Sequence, residues 1–164
     1  MGGAKKQAPE VVATEVLGMT NREHHAGGIS ELLHAARTSE STPDYESEES
    51  ALLPTLIIAG APRSGTSSVF RWLADHPDVL GATVKETFYF VDPGTHMFDS
   101  AKHFLSGGIE GYRQFFPRGE KLPRHVVEAT PSYLYSELAI RELPRIPTRP
   151  HFIFLLRDPV SQIQ

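Results

Sequence analysis

The chain has 164 residues, 40% of them apolar, and a formal net charge of −4, which suits one domain with its own core. It has no cysteine, so no disulfide can form, and it shows no basic stripe of the kind that nucleic acid requires. No run of about 18 apolar residues is present, nor an N-terminal apolar core of a secretory signal, so nothing in the sequence reads as a membrane segment.

Residues 1–52 read as an acidic, disordered N-terminal segment. Between Arg37 and Arg63 stand five acids, Glu40, Asp44, Glu46, Glu48 and Glu49, without a Lys or Arg, which more than accounts for the net negative charge. Ile29, Leu32, Leu33 and Ala36 have helical spacing, but an isolated helix that short is marginal in water. The expectation is a weak helix over 29–38. His24-His25 lack a third ligand at metal-binding spacing, so a solvated pair is the simpler reading. The folded part, 53–164, opens with Leu56-Ile57-Ile58, a short apolar run closed by Gly60, which predicts a strand buried on both faces. A helix is predicted next, with Ser64, Thr66, Ser67 and Ser68 as capping oxygens, Val69, Phe70, Trp72 and Leu73 as its apolar face, and Pro77 as its stop.

The turn between them, Gly60-Ala61-Pro62-Arg63-Ser64-Gly65-Thr66, has the form of a phosphate cradle. A helix N-terminus offers unpaired N–H donors and about half a positive charge, and Arg63 adds a full one. Gly60 and Gly65 keep the spacing of the nucleotide loop G-x-x-x-x-G-K-[ST], but Thr66 stands where its lysine belongs, which argues against a small P-loop kinase.

Further on, Val79 to Val84 reads as a second strand leading to Lys85-Glu86, a charged pair at a strand's carboxyl end, where open α/β sheets place ligands. Asp92-Pro93-Gly94 is a turn, Ser100 to Leu105 a helical turn, and Gly107-Gly108 a break. Ile109, Tyr112, Phe115 and Phe116 share one helical face that ends at Pro117, and this aromatic stripe reads as core rather than as a ligand box. Residues 117–124 form a polar loop. Val126 to Tyr133 supplies a third strand and a loop, a helix starts at Ser136 or Glu137 and runs to about Leu143, and His151 to Leu156 is a fourth apolar strand. Arg157-Asp158-Pro159 comes after it, then the first turn of a helix. Strands and helices in alternation predict an α/β fold, a parallel sheet in three layers with right-handed crossovers.

Ala61-Pro62-Arg63-Ser64-Gly65-Thr66-Ser67-Ser68 resembles the 5′-phosphosulfate loop of sulfotransferases that use PAPS (3′-phosphoadenosine 5′-phosphosulfate). Phe152 to Pro159 is similar to the second cofactor motif of that family, a strand followed by R-D-P. Lys85-Glu86-x-x-Tyr89-Phe90 resembles the K-E-x-x-[FY]-F segment of its carbohydrate branch, the heparan and chondroitin sulfate enzymes. Gly111-Tyr112-x-x-Phe115-Phe116-Pro117 and Glu128-Ala129-Thr130-Pro131-x-Tyr133 also resemble that branch. Together these segments cover 55–164.

The resemblance implies a P-loop-like sulfotransferase fold, here truncated after the fourth strand, and sulfuryl transfer from PAPS to a hydroxyl or amine of a carbohydrate acceptor with no metal. It implies cofactor binding by Arg63, Ser64, Gly65, Thr66, Ser67, Ser68 and Arg157, the last on the 3′-phosphate. Glu86 becomes the catalytic base, with Arg63 and Lys85 assisting at the leaving group or acceptor. Some heparan enzymes carry a lysine where Ala129 stands, so a heparan-type acceptor does not follow from the motifs. The compartment as written is cytoplasmic, or the Golgi lumen for a eukaryotic relative whose anchor is missing. The reading from a different class is a truncated, noncatalytic nucleotide-binding or interaction fragment that holds PAPS or its desulfated product PAP weakly or not at all.

Overall fold

The computed structural model describes residues 52–119 and 122–158. Apart from Leu52, the acidic segment expected over 1–52, with the weak helix expected over 29–38, lies outside the described residues, as does the helical turn expected after Asp158.

Strands β1 (Leu56–Gly60), β2 (Val79–Gly81), β3 (His125–Ala129) and β4 (His151–Phe154) alternate with helices α1 (Thr66–Ala74), α2 (Phe104–Tyr112) and α3 (Glu137–Glu142). The four strands form one parallel sheet in the order β2-β3-β1-β4. Parallel strands cannot be joined by hairpins, so each connection crosses over a face of the sheet. All carboxyl ends therefore share one edge.

Period-two alternation along β1 and β3 divides the core. Leu56, Ile58, Val127 and Ala129 face α1 and pack against Val69, Phe70 and Leu73. Ile57, Ala59 and Val126 point the other way, into an aromatic cluster of Tyr89, Phe90, Tyr112, Phe115, Phe116 and Tyr133 completed by Ala139 and Leu143. These are the three layers. The stripe Tyr112, Phe115 and Phe116 is core, its rings meeting edge-on, an arrangement favoured by the ring quadrupoles.

Several elements depart from the sequence-based expectations. Strand β2 stops at Gly81, short of Val84: after the Ala82 amide donates to Val127 at 2.9 Å, the next carbonyl of β3, Ala129, accepts from Glu86 at 2.8 Å instead of from Val84. Trp72 is not part of the buried face of α1 and is 37% exposed. The N-cap of that helix is Gly65, in the left-handed region, and not one of the loop hydroxyls. Helix α2 begins at Phe104 and runs through Gly107, with the break at Gly108 alone (φ 55°, ψ −156°). Residues 131–135 and 143–145 close into 3-10 turns, each with proline near its start, where a missing N–H costs nothing. Helix α3 is capped as expected by Ser136, whose side chain accepts from the Ala139 amide at 3.1 Å. Strand β4 lies at the sheet's edge and is half-buried along its length.

Candidate active site

The carboxyl edge of the sheet brings together three separate pieces of sequence. From β1, residues 61–65 turn sharply into α1. Arg63 has φ 61° and Gly65 φ 92°, so the turn alternates through the left-handed region, which exposes consecutive amides on its concave side. Only glycine adopts that conformation without strain, and open space surrounds the point where a Gly65 Cβ would sit. Thr66 and Ser67, at the start of α1, have no intrahelical acceptor for their amides. Arg63, Ser67 and Ser68 are exposed, Ser64 is half-buried, and Thr66 is buried at 4%. The turn thus combines an open glycine, helix-start donors and one cation. These features suit an anionic phosphate or phosphosulfate group.

On one side this loop is tied to β4. The Ala61 amide donates to the Leu155 carbonyl and the Leu155 amide to the Gly60 carbonyl, both at 2.8 Å. Arg157, two residues on, is therefore held at the same edge, and it is exposed.

On the other side lies β3. The Thr130 amide donates to the Ile58 carbonyl at 3.1 Å. The chain leaving β2 bulges outward and returns where the Glu86 amide donates to the Ala129 carbonyl at 2.8 Å. Glu86 sits at φ 67° and pairs with the Lys85 ammonium. Their side chains are 38% and 22% exposed, so the carboxylate can reach solvent and a bound molecule.

The structure adds residues whose chemistry the sequence did not mark. Glu128 is 0% exposed. Its Oε1 accepts from the Thr87 hydroxyl at 3.1 Å and from the Thr130 hydroxyl. Thr87 Oγ1 lies 2.9 Å from the Tyr133 hydroxyl. Burial pushes the Glu128 carboxyl up to about 7, against the Thr130 and Thr87 hydrogen bonds and the Lys85 charge. The available signal was alternation: in Val126-Val127-Glu128 the acid occupies the same face as a core valine. Among the described residues, no three His, Cys, Asp or Glu are grouped so that they could hold a metal ion.

The fold is that of an α/β domain of the sulfotransferase type. By sequence and by structure the chain is a homologue of the sulfotransferases, and carbohydrate-modifying enzymes are among its relatives. It is 27% identical over 148 residues to heparan sulfate glucosamine 3-O-sulfotransferase 3B1 of Mus musculus, covering 84% of this chain and 35% of that protein. It is 30% identical over 112 residues to the membrane-associated sulfotransferase kil1 of Dictyostelium discoideum, covering 67% and 21%. A sulfotransferase crystal structure from Alicyclobacillus acidocaldarius superposes with a TM-score of 0.54 at 26% identity, covering 67% of this chain and 47% of the other. No protein-family model matches. The chain thus spans between about a fifth and a third of the length of these two curated relatives. Among the described residues, no helix is long and apolar enough to cross a membrane.

Proposed function

We propose that this chain carries the donor-binding and proton-accepting part of an enzyme that transfers a sulfuryl group from PAPS to a hydroxyl or amine of a carbohydrate. The observation that carries the reading is the convergence of Arg63, Glu86 and Arg157 on one edge of the sheet, through backbone hydrogen bonds from β1 to β4 and from the Glu86 amide to β3. The names of the heparan sulfate relatives support a carbohydrate acceptor.

In this reading Arg63, the amides of the loop and the hydroxyls of Thr66, Ser67 and Ser68 hold the 5′-phosphosulfate and stabilise the charge that builds on the departing phosphate. Arg157 grips the 3′-phosphate, a task for which a planar guanidinium suits better than an ammonium. Glu86 accepts the acceptor's proton as the bond from sulfur to the acceptor's oxygen or nitrogen forms and the sulfur–oxygen bond to the 5′-phosphate breaks. General-base catalysis of this kind contributes about 100- to 10,000-fold. Lys85, paired with Glu86, offers a cation to the transferring group.

Titration calorimetry with PAP tests the donor site, and transfer of labelled sulfate from PAPS to a panel of glycans tests the reaction. Absence of PAP binding removes the reading. PAP binding without transfer favours the noncatalytic form, for which the measure is retained affinity.

A further inference from the structure

Glu86 stands in a conformation that costs a non-glycine residue about 1–2 kcal/mol, and two contacts bracket it. Its own amide is fixed to the Ala129 carbonyl at 2.8 Å. The next side chain, Thr87, is fixed to Glu128 at 3.1 Å. The direction of the second contact is set by proton counting. An ionised carboxylate only accepts, so Thr87 gives its single proton to Glu128 Oε1, and the Tyr133 hydroxyl must then donate to Thr87 Oγ1 at 2.9 Å. The Thr130 hydroxyl donates to the same Oε1. The chain Tyr133–Thr87–Glu128–Thr130 joins the segment carrying Glu86 to both β3 and the turn beyond it.

This arrangement is expensive for a core. Glu128 Oε2 and the Tyr112 hydroxyl are both buried without a hydrogen-bond partner, and each such group costs on the order of 1–3 kcal/mol. An apolar residue would fill the strand position more stably. A carboxylate kept there against its burial energy, with its one satisfied oxygen turned to the residue after Glu86, has a positioning task.

We propose that Glu128 is a positioning residue that, through Thr87, clamps the Lys85–Glu86 pair onto the carboxyl end of β3 and so fixes where the Glu86 carboxylate points. The proposal rests on the reading of Glu86 as the base. The grip is strongest when Glu128 is ionised, because hydrogen bonds to a charged acceptor are about twice as strong as neutral ones. The groups that face this carboxyl are Lys85 from its own clamped segment, Tyr112 from α2 and Tyr133 from the 3-10 turn. The two phenols are pushed well above their ordinary range, mainly by burial, so Lys85 and Glu128 set the local charge.

Amide hydrogen exchange read residue by residue tests the clamp independently of catalysis. In Thr87→Val the Glu86 amide should exchange at least about tenfold faster, while Ile57 and Ile58 in β1 stay unchanged and Thr87→Ser restores protection to within about twofold. Glu128→Gln keeps an accepting oxygen at the same place but carries no charge, so it should speed exchange of the Glu86 amide by less than Thr87→Val does, with Ile57 and Ile58 again unchanged. Unchanged exchange in Thr87→Val, or faster Glu86 exchange in Glu128→Gln than in Thr87→Val, overturns the proposal. In preparations that transfer sulfate, Thr87→Val should lower kcat about tenfold and leave KM for PAPS within about twofold. An equal loss in kcat/KM through KM alone also overturns it. A preparation that transfers no sulfate removes the proposed reaction, and the exchange results then decide the clamp alone.

Discussion

The Glu86 amide donates to the Ala129 carbonyl at 2.8 Å, and this one backbone bond returns a chain that has left the sheet at Gly81 to the end of the neighbouring strand. It places an acid beside the glycine turn that follows β1, because Ala129 is the register partner of Ile58. Residues 28 positions apart in sequence, Ile58 and Glu86, thereby become neighbours across a single strand.

Arg63→Ala should weaken PAP binding about 10- to 100-fold, since a hydrogen bond to a charged phosphate contributes roughly 1.5–3 kcal/mol. Arg63 is exposed, so the fold should be unaffected. Calorimetry showing equal affinity for both proteins would remove Arg63 from the donor site.

Arg157→Ala should discriminate between ligands. Affinity for PAP should fall while affinity for adenosine 5′-phosphosulfate, which lacks the 3′-phosphate, stays within about twofold. Equal losses for both ligands would mean that this guanidinium does not read the 3′-phosphate.

Glu86→Gln should retain PAP affinity and thermal stability but lose most sulfuryl transfer, because an amide cannot take up a proton at neutral pH. The comparison is of kcat and KM in a preparation that transfers sulfate. Full activity in the variant eliminates Glu86 as the base.

Glu128 makes stability depend on pH in a definite direction. Its carboxyl is raised from an ordinary 4.5 to about 7 by burial, so between those values the folded state binds more protons than the unfolded one. Its contribution to stability is therefore fully present below about 4.5 and lost as pH rises to about 7, a change of about 3 kcal/mol at 1.36 kcal/mol per unit. Glu128→Gln should flatten this part of the denaturant-midpoint profile. If the unmodified protein is no less stable at pH 8 than at pH 5.5 relative to the variant, the carboxyl is not buried as described.

Gly111→Ala should destabilise the aromatic layer. An added Cβ there runs into the Tyr89 hydroxyl, which itself donates to the Gly108 carbonyl at 2.8 Å. Overpacking of a filled core costs about 1–3 kcal/mol. Thermal unfolding gives the value, and a Tyr89→Phe background, which removes the obstructing oxygen, should recover part of it.

The sequence by itself determined β1, the glycine turn after it, the helix that follows and the apolar run of β4, because each is written in neighbouring residues: a continuous apolar stretch for a strand, glycines for a sharp bend, proline for a stop. It also marked Tyr112, Phe115 and Phe116 as core through their helical spacing. Tertiary structure alone decided the rest. The end of β2 at Gly81 goes with the Ala129 carbonyl accepting from Glu86 instead of from the strand, a contact across 43 positions that no local pattern encodes. The strand order, with β1 between β3 and β4, brings Arg63, Glu86 and Arg157 to one edge, although single motifs give no order. Glu128 reads in sequence as an ordinary acid among valines. Only the parity of β3, which turns it inward toward Thr87, Tyr112 and Tyr133, removes it from water and makes its charge conditional on its neighbours.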